Sequence, residues 1–115
     1  HTVQDSFAAA HATREASPPG GTCQDAAWPQ PRRIVEFHTY GAQDGHLHDE
    51  QDSREAMTRV SIAEKWPDAV EATRTLAQFY DERARWTEVQ PYLQCLFEIA
   101  DERHNSSPGE PFRRR

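Results

Sequence analysis

The groups in this sequence best suited to chemistry are its six histidines and the carboxylates beside them. His1 and Asp5 stand four residues apart, a spacing that projects both side chains from one face of a helix. His11 comes ten residues after His1. On a continuous helix that is a rotation of roughly 1000°, about 80° short of three full turns, so it falls near the same side. After an intervening loop, His46, His48, Asp49, Glu50 and Asp52 form a second group. There His48 and Asp52 are four apart, as are His46 and Glu50. Imidazole nitrogen and carboxylate oxygen are the donors that a borderline metal such as zinc accepts. A single His–Asp pair at this spacing is usually a solvated helix pair contributing a few tenths of a kcal/mol. Two such pairs plus His11 in one short chain argue for a metal site. Gln4, Ser6 and Gln43 are close enough in sequence to orient the imidazoles by hydrogen bonds, although each also reads as an ordinary surface or packing residue.

The elements that must hold these groups read mainly as helices. Residues 1–15 contain three consecutive alanines and neither Gly nor Pro, which predicts a first helix. Residues 16–32 carry four prolines and two adjacent glycines and are expected as a long irregular loop. Arg33 to Tyr40 is rich in β-branched and aromatic types, and reads as a short strand or an extended segment burying Ile34, Phe37 and Tyr40. Gly41 to Gly45 turns the chain. Trp66-Pro67-Asp68 then resembles a helix start, with an apolar stripe through Val70, Thr73, Ala77, Tyr80 and Ala84 and Leu76 beside it. Thr87 is placed to cap a last helix through Val89, Tyr92, Leu93, Leu96 and Ala100. Trp66, Phe79, Tyr80, Trp86, Tyr92 and Phe97 are expected in the core. The resulting expectation is a mainly α helical bundle, one domain over residues 1–104, with a flexible tail at 105–115.

Composition sets the outer limits. Of the 115 residues, 36% are hydrophobic and 28% charged, enough for a small core only. No apolar run approaches the ~20 residues of a transmembrane helix. The net charge of −6 argues against nucleic-acid binding by the surface as a whole, although Arg113, Arg114 and Arg115 sit together. Cys23 and Cys95 allow one disulfide and exclude a disulfide framework.

The run HTVQDSFAAAHATR, followed by IVEFHTYGAQDGHLHDEQD, resembles the zinc-dependent phospholipase C and S1/P1 nuclease superfamily, and within it the bacterial members carrying His-x-x-Gln-Asp-Ser-Phe…His-x-x-Arg. The resemblance covers about residues 1–52 by motif. It implies an all-helical fold around three zinc ions that hydrolyses phosphodiesters, with phospholipid or nucleic acid as substrate. On that likeness Asp5 would bridge two zinc ions, His1 would bind one of them, and His11, His48 and Asp52 would bind the third. Arg14, three residues after His11, could contact phosphate; as an ordinary residue it would serve a helix end.

Two features depart from the family. Its members take further ligands from segments ahead of the His–Asp helix, so a missing N-terminal part of the same enzyme is expected. Many also have Pro before the second His, where this chain has Ala10. Family habit places such enzymes outside the cytoplasm, secreted or periplasmic.

Two other classes compete. Residues 70–101 resemble one tetratricopeptide repeat, with Leu76, Ala77, Tyr80, Trp86, Val89 and Leu96 near its packing positions, which would make a non-catalytic interaction module. Such units need about three repeats, and no second copy stands upstream. An N-terminal His could also chelate copper, as in polysaccharide-cleaving oxygenases, but those are β-sandwiches and this sequence reads as helical.

Overall fold

Three consecutive alanines do not carry the first helix past Asp5. The computed structural model describes residues 1–16, 31–57 and 68–115. In it the opening helix is one turn long (α1, Thr2–Asp5), and the Ser6 hydroxyl donates back to the Val3 carbonyl as the helix ends. Ala8, Ala10 and Ala12 are each at most 4% exposed. Their small side chains let the backbone pack closely through a series of tight turns, so tertiary packing overrides their helix propensity. The chain then enters a strand (β1, Ala12–Arg14) that pairs antiparallel with a second (β2, Ile34–Phe37). The ladder has an irregularity between Thr13 and Arg14.

The fold is therefore mixed α/β, which corrects the expected mainly α helical bundle. The continuous helix that was to carry His1, Asp5 and His11 together does not form. Beyond the strands come a 3-10 turn at Tyr40–Ala42, a short helix (α2, Gly45–Glu50) and two longer ones (α3, Ala69–Asp81; α4, Trp86–Leu96). Most of the expected loop at 16–32 lies outside the described residues, as do Cys23, Trp66 and Pro67.

Helix α3 begins just after the segment expected as its start: Asp68 stands outside it as the cap, its carboxylate accepting from the Val70 and Glu71 amides. Its buried face runs through Ala69, Ala72, Leu76 and Phe79, not through the expected stripe. Thr73, Ala77 and Tyr80 face solvent. Helix α4 starts at Trp86 instead of after Thr87, with Glu88 reaching back to the Arg85 amide at 2.7 Å. Between the two helices Arg83 adopts φ 53°, the left-handed turn that glycine usually fills.

The apolar cluster is small. Ala72, Tyr92 and Leu96 form its centre, with Val3, Phe7, Leu76, Phe79, Leu93 and Phe97 packed around them. Tyr80 (84% exposed) and Trp86 (63%) lie outside it, contrary to expectation, as do Phe37 and Tyr40. Tyr80 falls on the solvent face of α3 once the true stripe is set one residue earlier, and Trp86 stands at the first position of α4. Cys95, in the last turn of α4, is disulfide-bonded. Just beyond α4 the chain joins β2: Ile34 donates to the Glu98 carbonyl and Ala100 to the Ile34 carbonyl, each at 2.8 Å. Among the described residues no helix is long and apolar enough to cross a membrane.

The last residues, expected as a flexible tail, are tied down as a strap. Glu36 on β2 accepts from the Ser107 amide and lies 3.0 Å from His104 Nε2. The Thr39 amide donates to the Ser107 carbonyl, and the Asp44 amide to the Phe112 carbonyl. Gly109 has φ 74°, and a Cβ there would meet the His38 ring at 2.8 Å. Only glycine suits both demands. Phe112, 9% exposed, closes the strap against the same ring.

Candidate metal centre

His11 is positioned by the sheet, not by a helix. It sits just before β1, where its carbonyl accepts from the His38 amide at 2.8 Å and extends the ladder by one bond. Its neighbour Ala10 is fixed as well. The buried His38 donates from Nδ1 to the Ala10 carbonyl (3.1 Å), leaving Nε2 to accept from the Thr13 hydroxyl (2.9 Å). The Gln43 amide donates to the same Ala10 carbonyl at 2.7 Å and to the Pro108 carbonyl. Gln43 thus binds together the turn before His11, the segment before α2 and the strap. Both its amide hydrogens are used, and its buried Oε1 has no donor.

Helix α2 supplies the other half of the site. Asp44 caps it, accepting from the His46 and Leu47 amides. The helix ends at Glu50, yet the chain keeps a helical bend through Asp52, whose amide donates to the Asp49 carbonyl. The i, i+4 relation therefore holds where the sequence indicates: His48 Nδ1 lies 3.9 Å from Asp52 Oδ2.

These two halves meet. His11 Nε2 is 3.0 Å from Asp52 Oδ1, and the His11 and His48 rings are 4.6 Å apart in an edge-on arrangement. One ligand atom from each of His11, His48 and Asp52 can be chosen so that all three lie within 4.8 Å of one another. This group could hold a metal ion. Two nitrogens and one oxygen from three protein residues leave a further coordination position open, the arrangement found in catalytic sites more than in closed structural ones.

Tyr40 is the contributor that sequence reasoning misplaced. The sequence pattern predicts a buried ring, yet Tyr40 is exposed, its hydroxyl lies 2.6 Å from His11 Nδ1 and its ring stands edge-on to both imidazoles. Metal-bound imidazoles typically donate from their second nitrogen to an oxygen, which fixes the tautomer and the ring plane. With Nδ1–H given to Tyr40, His11 presents Nε2 to a metal. Burial, together with Asp5 and Asp52, raises the Tyr40 phenol above its ordinary value and keeps it protonated. The only sequence signal for this role is an aromatic with a polar tip next to the Gly41 turn.

The remaining expected residues divide. Asp5 lines the same cleft as His11, Tyr40, Gln43, Gly45, His48 and Arg114. His1 does not join the ligand group; its side chain is 97% exposed and faces Asp5 at 3.7 Å. His46 and Glu50 form an exposed pair at 3.3 Å. Of the other candidate orienting groups, Ser6 is buried and accepts from Arg14 Nη2.

Arg14 is used inside the protein. Its guanidinium donates to the Ser6, Arg32 and Leu96 carbonyls and the Ser6 hydroxyl, and it stacks 4.2 Å from the Phe7 ring centre. Burial, with Arg32 close by, lowers it to about 10, so it remains a cation at neutral pH. That geometry gives it a structural part, bridging β1 to α4, instead of the substrate contact expected. On another side, a hollow of about 360 Å³ is lined by Gln4, Asp52, Arg54, Met57, Ala69, Val70 and Thr73. Asp52 is common to it and the ligand group.

No protein-family model, curated protein or solved structure matches the chain.

Proposed function

We propose that this chain carries part of a zinc-dependent phosphodiester hydrolase, as the phospholipase C and S1/P1 nuclease resemblance implies. The observation that carries the reading is the convergence of His11, His48 and Asp52 from separate segments. Zinc held there would supply Lewis acidity toward phosphoryl oxygens and an acidified water. His11 and His48 are neutral donors in this role, Asp52 an anionic one, and Tyr40 holds the His11 ring in place. Asp5, on the cleft wall, is available as a further carboxylate toward metal. The hollow beside Asp52, walled partly by Met57, Ala69 and Val70, gives the less polar part of a substrate a place next to the metal. The Cys95 disulfide supports a location outside the reducing cytoplasm.

Zinc stoichiometry of the purified chain, measured by elemental analysis beside His48→Ala and Asp52→Ala, tests the assignment. Zinc that survives dialysis in wild type and is lost in both variants is expected, together with zinc-dependent cleavage of an activated phosphodiester. Tyr40→Phe should keep the site but weaken zinc affinity roughly 10–100-fold, as loss of an orienting partner does. A folded wild type that retains no zinc overturns the reading.

A further inference from the structure

The sequence points to Arg14 as the phosphate contact; the geometry points to Arg114 as the residue that binds an anionic ligand at the metal centre. This inference rests on the phosphodiester reading above and goes on to name the residue of this chain that holds the phosphate group. Arg114 lines the cleft that contains His11, His48, Tyr40 and Asp5. It is held there by its backbone: its amide donates to the Ala42 carbonyl at 2.7 Å, beside an antiparallel bridge between Gln43 and Arg113. The strap that delivers it is fixed at Ser107, Pro108 and Phe112. Arg114 thus comes from the strap and lies alongside the segment that leads into α2, in the cleft that holds the ligands.

Its side chain is exposed and has no ion-pair or hydrogen-bond partner among the described residues, whereas Arg113 pairs with Glu110 at 2.9 Å. The charges explain what the free guanidinium is for. A divalent ion at His11, His48 and Asp52 is balanced by the Asp52 and Asp5 carboxylates, which leaves the Arg114 charge to be matched by an incoming anion. A guanidinium presents two parallel N–H groups to two oxygens of one phosphate, geometry that a point charge does not reproduce. In a chain of net charge −6, such a local cation together with the metal favours entry of an anion into the cleft.

The test is calorimetric titration of the zinc-loaded full chain with inorganic phosphate, with zinc content measured on the same samples. Arg114→Gln should weaken phosphate binding about 10-fold or more while zinc content stays unchanged. Arg114→Lys should fall between, and Arg113→Gln should match wild type. A dinucleoside monophosphate and a short-chain phosphatidylcholine, titrated in separate arms, distinguish the source of the phosphate; the ester whose binding depends on Arg114 names it. Zinc-loaded protein whose phosphate affinity is the same in Arg114→Gln overturns this inference alone. Protein that binds no zinc overturns it together with the metal reading.

Discussion

The α3–α4 hairpin and the metal corner are built on opposite plans. The hairpin is made of local helical bonds and one apolar cluster centred on Ala72, Tyr92 and Leu96. The corner buries Ala8, Ala10, Ala12, Ile34 and Phe112, none of which belongs to that cluster, and polar bonds hold it together. His11, Gln43, Glu36 and the strap are joined by polar contacts between residues far apart in sequence: His11 to Asp52, Gln43 to Ala10 and Pro108, Glu36 to Ser107. A non-directional apolar contact survives small shifts, whereas hydrogen bonds weaken steeply with misalignment. The corner gains definite geometry, which ligands need, and depends on the hairpin for stability. Val3 and Phe7, flanking the turn that leads to His11, pack on the hairpin cluster and link the two.

The largest effect should therefore come from the hairpin. Leu96 is 1% exposed at the cluster centre. Leu96→Ala should cost about 3 kcal/mol, within the usual range for a buried leucine truncation, read as a shift of the urea midpoint. Zinc affinity of the molecules that remain folded should be unchanged. If affinity falls as steeply as stability, the two regions are not separable and the comparison fails.

The same division governs what the sequence discloses. Periodicity is a local signal, so a helix start close to Asp68, the two long helices and the His48–Asp52 spacing are all legible in it. The exact face of α3 is not, because stripes one residue apart differ only in what they pack against, and Phe79 instead of Tyr80 meets Tyr92. The helix expected through Ala8–Ala10 is lost for a tertiary reason: close packing around Ala8, Ala10 and Ala12 and the recruitment of Arg14. The ligand residues His11, His48 and Asp52 stand out by type, yet their meeting depends on a strand pairing that no local pattern announces. Tyr40 and Arg114 are illegible for the same cause. One reads as a core aromatic, the other as part of a basic tail, until long-range bonds place them.

Arg14 offers a sharper test at intermediate size, because it belongs to the corner by sequence and to the hairpin by contact. Arg14→Met keeps length and removes the donors, leaving the Ser6, Arg32 and Leu96 carbonyls without them. An unsatisfied buried acceptor costs about 1–3 kcal/mol, and relaxation toward water should hold the total near 2 kcal/mol. The expected result is a lowered urea midpoint with phosphate affinity of the folded, zinc-loaded protein intact. A large loss of phosphate binding without loss of stability would return Arg14 to the substrate role.

The smallest effect concerns the strap and is set by pH. Burial by itself would raise the Glu36 carboxyl, but hydrogen bonds from Ser107 and His104 outweigh it and hold the group below its ordinary value. A carboxyl with a depressed folded-state pKa contributes stability that is fully present above its unfolded value. That contribution is lost as pH falls through the folded value, so the clasp should hold near neutrality and loosen only in acid, below the ordinary carboxylate range. Protection of the Ser107 and Arg114 amides, taken against the intrinsic exchange rate at each pH, should fall there, ahead of any change at the α3 and α4 amides. Glu36→Gln should remove most of the pH dependence of strap protection while leaving the hairpin amides as protected as in wild type. Protection that falls in the strap and the hairpin together, at one pH, would mean that the corner does not open on its own and that its polar bonds are no weaker than the apolar cluster beneath them.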